Sequence, residues 1–68
     1  MSLEERLEIV HQMQKLTEKQ ITNREKSLEL SKQLEENILD DKLRLEIKKL
    51  ELENITLYKR NKELISKL

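Results

Sequence analysis

The stretch LRLEIKKLELENITLYKRNKELISKL, residues 43–68, decides the fold because leucine recurs at every seventh position. A four-three alternation of mostly apolar residues is the heptad pattern of a coiled coil, in which the a and d positions form one buried stripe. A shorter leucine series, Leu45 and Leu52, is offset from the first by two residues. The main series predicts a helix whose oligomer interface is Leu43, Ile47, Leu50, Asn54, Leu57, Asn61, Leu64 and Leu68.

The composition of the 68-residue chain favours helix throughout. It contains no Gly, Pro or Cys, and 41% of its residues are charged while 35% are hydrophobic. Straight-chain helix formers dominate, and both strong helix breakers are missing. One continuous helix of this length would extend about 100 Å. Because such a helix is marginal in water unless a stripe of it is buried, we expect an all-α chain that associates with other helices.

Charge and hydropathy argue against several partner classes. The 14 acidic and 14 basic residues give a formal net charge of zero, so the chain lacks the basic surface expected of a direct nucleic-acid binder. No apolar run reaches membrane-spanning length, and no signal peptide is recognisable. The absence of cysteine fits an intracellular protein, either nuclear or cytoplasmic.

A further apolar pattern occupies the N-terminal half. Ser2 and Glu5 have the spacing of a capping box, in which the hydroxyl accepts the Glu5 N–H and the Glu5 carboxylate reaches back. Apolar residues then follow in one heptad register, but polar residues hold its middle positions, so we expect the helix to be weakly pinned there. The apolar members are Ile9, Met13, Leu16, Leu30 and Leu34, and the polar ones are Gln20, Asn23 and Ser27.

The two halves do not share a register. Leu34 and Leu43 are nine residues apart, which is about two and a half helical turns. In a continuous helix the N-terminal stripe therefore emerges on the face opposite the zipper, where the shorter leucine series continues it. We call this the second stripe, and it comprises Ile9, Met13, Leu16, Leu30, Leu34, Ile38, Leu45, Leu52 and Ile55.

Two arrangements accommodate the second stripe. A straight coiled-coil dimer would leave it for another chain, whereas a bend near residues 37–41 would pack the N-terminal helix on the rear of the zipper, with Asp40 or Asp41 as the cap. Ile55, Tyr58 and Ile65 also broaden the zipper stripe beyond what two strands cover, which leaves room for a tetramer or a helical-hairpin bundle. The chain divides accordingly into an amphipathic helix, residues 1–38, and a zipper segment, residues 39–68.

Charges and asparagines favour opposite orientations of the zipper. In a parallel dimer Glu46 faces Glu51 of the second chain, whereas in an antiparallel one Glu46 meets Lys67 and Glu53 meets Arg60. Exposed ion pairs contribute about 0.2–1 kcal/mol each, but an unpaired buried amide costs about 1–3 kcal/mol. An asparagine at a bonds its twin only in the parallel register, so the sequence favours a parallel dimer.

Leucine at every seventh residue with asparagine in the a layers resembles the leucine-zipper family over residues 43–68. The resemblance implies parallel self-association. Asn23-Arg24-Glu25 is similar to the motif upstream of the leucines in basic-region zipper factors, but Ser31 stands where that family needs Arg or Lys. Residues 43–64 also resemble the Leu/Glu-rich multimerisation tails that follow Myb/SANT-like DNA-binding domains in some transcription regulators.

Candidate catalytic and metal-binding groups are few. His11 is the only histidine, and no second His or Cys accompanies it at helical spacing. The adjacent carboxylates at residues 35–36 and 40–41 point about 100° apart on a helix and form no pocket. We therefore predict a non-enzymatic homodimerisation module without cofactor, metal or small-molecule ligand. The alternatives are a heteromeric docking helix for a different helical protein and a transcription-regulator multimerisation tail.

Overall fold

The computed structural model describes residues 1–68 and contains two α-helices joined by a short turn. Helix α1 spans Leu3–Glu36 and helix α2 spans Asp41–Ser66. The helices pack against each other in antiparallel directions, giving a hairpin with Cα extents of 53 × 14 × 11 Å. The predicted all-α fold class is confirmed, and the chain adopts the bent arrangement instead of one continuous helix.

Helix α1 begins at a serine cap. The Ser2 Oγ accepts the Glu5 N–H at 3.2 Å, as the capping-box spacing predicted. The Glu5 carboxylate reaches back to Ser2 and accepts its hydroxyl hydrogen at 3.1 Å. Glu4 and Glu5 also place negative charge in the first turn, where it interacts favourably with the helix dipole.

The turn between the helices is held by side-chain and main-chain bonds, without glycine or any positive φ. The Asn37 N–H donates to the carbonyls of Gln33 and Leu34, both at 3.1 Å, which ends α1. Asp40 caps α2, since its Oδ1 accepts the backbone N–H groups of Lys42 and Leu43 at 3.0 and 3.2 Å. Four residues are therefore enough to reverse the chain.

The helices meet along one four-three stripe from each, which we call the seam. Leu57 and Asn23 lie at its centre, and they are the two buried residues of the chain, at 4% and 5% exposed. The other seam residues are mostly half-buried. The seam consists of Ile9, Met13, Leu16, Gln20, Asn23, Ser27, Leu30 and Leu34 from α1, and of Leu43, Ile47, Leu50, Asn54, Leu57, Asn61 and Leu64 from α2.

Helix α1 packs on the heptad stripe of α2, whereas the bent arrangement predicted from the sequence had α1 on the opposite, rear face of the zipper. A continuous helix from residue 34 to 43 would have turned the α1 stripe to that rear face. The non-helical residues 37–40 interrupt the helical phase, so the α1 stripe and the zipper stripe are free to face each other. The remainder of the second stripe is left exposed, namely Ile38, Leu45, Leu52 and Ile55.

Candidate interaction surface

A hydrogen-bonded polar layer crosses the middle of the seam. Asn23 Nδ2 donates to Asn54 Oδ1 at 3.0 Å, and Asn54 Nδ2 donates to the Gln20 carbonyl at 3.2 Å. Gln20 Nε2 in turn donates to the Asn54 carbonyl at 3.4 Å. Asn54 was expected to bond its twin in a second chain, but within the hairpin Asn23 supplies the complementary amide. Because the layer satisfies buried polar groups on both helices, it fixes their relative register.

The second asparagine of the zipper is incompletely paired. Asn61 Nδ2 donates to Thr17 Oγ1 at 3.1 Å. The Asn61 Oδ1 is buried and has no donor within hydrogen-bond distance. A buried polar atom left without a partner costs about 1–3 kcal/mol, so Asn61 stabilises the hairpin less than Asn54 does.

One ion pair flanks the polar layer. Lys19 Nζ lies 3.3 Å from Glu53 Oε1, and both side chains are substantially exposed. The Asn23 amide and then the Lys19 ammonium lower the pKa of Glu53 below its ordinary value of 4.5. Because exposed ion pairs are screened by water and salt, we assign this pair to the alignment of the helices more than to their stability.

One flank of the seam is entirely polar. We call it the charged face, and it holds the residues one position before each seam residue. From Glu8 on α1 to Glu63 on α2, none of these residues has an aliphatic, methionine or aromatic side chain. Shallow depressions on this side are bordered by ions of both signs, such as Lys26 beside Glu46 and Lys15 beside Glu63. Such a face is well hydrated and needs no covering partner.

The other flank carries apolar residues among its polar ones. Because antiparallel helices face each other, the position after each seam residue points to the same side of the hairpin on both helices. A shallow groove on this side is lined by Ile21, Ile55 and Tyr58, together with polar residues that include Thr17 and Arg24. We call this the apolar face and define it by Val10, Ile21, Leu28, Ile55, Tyr58 and Ile65.

The apolar face is exposed at its centre. The exposed fractions are 53% for Ile21, 51% for Ile55 and 60% for Tyr58. Leu3 and Leu7 continue the α1 row toward the N-terminus at the same spacing and are also exposed. Scattered exposed hydrophobic residues are normal on a protein surface, whereas Ile21, Ile55 and Tyr58 line one groove, which makes this groove the candidate interaction surface.

The predicted interface residues fall into two groups. The zipper residues from Leu43 to Leu64 lie in the seam against α1, and Leu68 follows the end of α2 and is exposed. The α1 members of the second stripe also lie in the seam, opposite the zipper. Because α1 covers the zipper residues within one chain, their role in contacts between chains stays a prediction.

The α1 half of the apolar face was not predicted from the sequence. Its signal was present in Leu3, Leu7 and Val10, which are four and three residues apart, and in Ile21 and Leu28, which keep the same register. The polar residues between Val10 and Ile21 obscured that row. Once the seam is known, the row is recognisable as the position after each seam residue.

No three His, Cys, Asp or Glu side chains lie close enough together to hold a metal, and His11 is exposed. Neither helix is long and apolar enough to span a membrane. No known protein family, curated protein or solved structure matches the chain.

Proposed function

We propose that the chain is a non-enzymatic self-association module, which joins copies of the protein that carries it by packing helix against helix. The observation that supports this function is the large exposed surface of the hairpin. Its solvent-accessible surface is 5850 Å², whereas a compact monomer of 8.2 kDa exposes about 4500 Å². Only 2 of 68 residues are buried, so a single hairpin has almost no core of its own.

Association between copies would reduce this excess of solvent-accessible surface. A stable complex of standard size buries about 800 Å² on each partner, which is a large part of the difference between the two surface areas. Burial of the apolar-face residues would contribute most to association, because removing apolar surface from water is favourable by about 25 cal/mol per Å². The charged face has no comparable driving force.

Two routes lead to self-association. In one, closed hairpins meet through their exposed apolar residues. In the other, the hairpin opens and two zipper stripes pair in parallel, as the leucine-zipper resemblance implies. The second route would let Asn54 and Asn61 each bond its twin, but it would also separate Asn23 and Thr17 from their present partners. Both routes make the chain an oligomerisation module.

A docking helix pair for a different helical protein is the alternative function. The same apolar face favours it, because a complementary amphipathic helix would cover that face as well as a second copy would. The multimerisation tail of a DNA-binding transcription regulator is a particular form of self-association, and it rests on the resemblance of residues 43–64 alone.

Light scattering of the purified chain over a wide dilution series tests the proposal. We expect a mass that is a multiple of 8.2 kDa at high concentration and falls on dilution. Helical circular dichroism should fall with it, because the helices depend on association for burial. A chain that stays monomeric and helical at every concentration would contradict self-association and favour the heteromeric alternative.

A further inference from the structure

We propose that two closed hairpins stack through their apolar faces into a symmetric four-helix bundle, with both turns at the same end. The proposal rests on the self-association proposed above and specifies its surface and its symmetry. The occupant of the apolar face is therefore a second copy of this chain. The zipper stripe stays inside each hairpin, in the seam where α1 covers it.

The division of residues between the two faces selects the contact surface. All the apolar residues that immediately flank the seam lie on one side of the hairpin, and the charged face has none. Stacking through the apolar face would bury Ile21, Ile55 and Tyr58 from both copies at once. Stacking through the charged face would instead desolvate ions such as Lys26 and Glu46 without burying aliphatic area.

The hydrogen bonds of the seam determine which residues would meet. Within one hairpin, Thr17 lies level with Asn61 and Asn23 lies level with Asn54. A two-fold axis parallel to the helices keeps every level and places α1 of one copy over α2 of the other. Ile21 lies between those two levels, as do the apolar residues facing it from α2, so they would meet across the axis twice by symmetry.

Charge complementarity favours the same axis. Arg24 directly follows Asn23, and Glu51 lies about one turn before Asn54 on the same side of the hairpin. Neither takes part in the one ion pair of the hairpin. Under the parallel two-fold axis, Arg24 of each copy faces Glu51 of the other. A perpendicular axis would stack α1 on α1, where the apolar side offers Arg24 no carboxylate before Glu35.

The available area is sufficient for a dimer. The α1 row from Leu7 to Leu28 is about 30 Å long at 1.5 Å per residue, and two helices side by side are about 20 Å wide. The flat footprint is therefore about 600 Å², and interdigitating side chains bury more than the flat value. This approaches the area of about 800 Å² per partner found in stable complexes. A net charge of zero also leaves no overall repulsion between copies.

The first test compares two lysine substitutions by sedimentation equilibrium. Ile55→Lys places a charge in the proposed interface, whereas Leu39→Lys makes a similar change in the turn, where Leu39 is 91% exposed. We expect Ile55→Lys to raise the dimer dissociation constant by about 100-fold or more, because each dimer carries the change twice. Leu39→Lys should leave it unchanged. Equal dissociation constants for both variants and the wild type would overturn the proposed surface.

A charge reversal distinguishes lost contact from lost folding. Arg24→Glu and Glu51→Arg should each weaken dimerisation, by roughly tenfold, and the two changes combined should restore it. A variant that merely failed to fold would not be rescued by a second substitution. Failure of the double variant to regain affinity would contradict the pairing of these two residues.

The orientation and the closed state need separate measurements. Nitroxide labels on Leu39→Cys should lie within about 25 Å of each other in the dimer, because stacked helices are about 10 Å apart. Turns at opposite ends would separate the labels by close to the 53 Å hairpin length and would refute the axis. Small-angle scattering from a dimer about 100 Å long would show open helices, overturning this bundle while leaving self-association intact. A wild-type monomer at all concentrations would refute both.

Discussion

Replacing Leu57 with alanine is the most direct test of the seam. Leu57 is the one buried apolar residue, at 4% exposed, and Leu→Ala at a buried site costs about 2–5 kcal/mol. Because the neighbouring seam residues are only partly buried, the site can partly collapse, and we expect about 2–3 kcal/mol. A chain of this length has a total stability of about 3–10 kcal/mol. The melting temperature should therefore fall by about 10–20 °C.

Thermal melts followed by circular dichroism would measure the effect, with every variant at the same concentration because association shifts the midpoint. Leu52→Ala is the matched control, since it makes the same change in the same helix at a residue that is 55% exposed. Its effect should stay within about 0.5 kcal/mol. If both variants melted at the same temperature, the seam described here would not be the stabilising contact.

Three further predictions concern polar groups. Asn61→Leu should raise the melting temperature more than Asn54→Leu, because only Asn54→Leu leaves the buried Asn23 amide without an acceptor. Adding Asn23→Leu to Asn54→Leu should remove this difference in melting temperature. The lowered pKa of Glu53 means that its carboxylate contributes stability above its ordinary pKa of 4.5, and that this contribution is lost as pH falls through the lower folded-state value. Wild type should therefore lose more stability than Glu53→Gln as the pH is lowered from neutral to below the folded-state pKa of Glu53, in melts across a pH series. Asp40→Ala should cost about 0.5–2 kcal/mol in chemical denaturation, because it removes the α2 cap.

The sequence contained enough information to predict both sides of the seam. The four-three spacing predicted the stripe from Leu43 to Leu64 and, separately, the stripe from Ile9 to Leu34. The cap of α1 at Ser2 could also be predicted, as could a cap of α2 at Asp40 or Asp41. Capping residues have a distinctive position relative to the helix that follows them. These features are local, and local patterns survive in any tertiary arrangement.

The pairing of the two stripes was harder to predict because it depends on a turn that contains no Gly or Pro. Neither Gly nor Pro marks residues 37–40, and a continuous helix through Ile38 would have sent the two stripes to opposite sides. For the same reason the contact of Asn54 with Asn23 was not predicted, while the expected bond between the Asn54 residues of two chains stays a prediction. Asn23 lies beside Asn54 only after the turn sets the register of α1 against α2, and no pattern within either helix specifies that register.

The turn at residues 37–40 has a mechanical consequence. It places both ends of the chain at the same end of the hairpin, so a force pulling those ends apart separates the helices one seam layer at a time. A parallel coiled coil pulled from opposite ends is loaded in shear, and all its layers resist together. In the hairpin each layer resists alone, and the Asn23–Asn54 layer is the step at which paired amides must separate. Tension along this direction would therefore open the hairpin at low force.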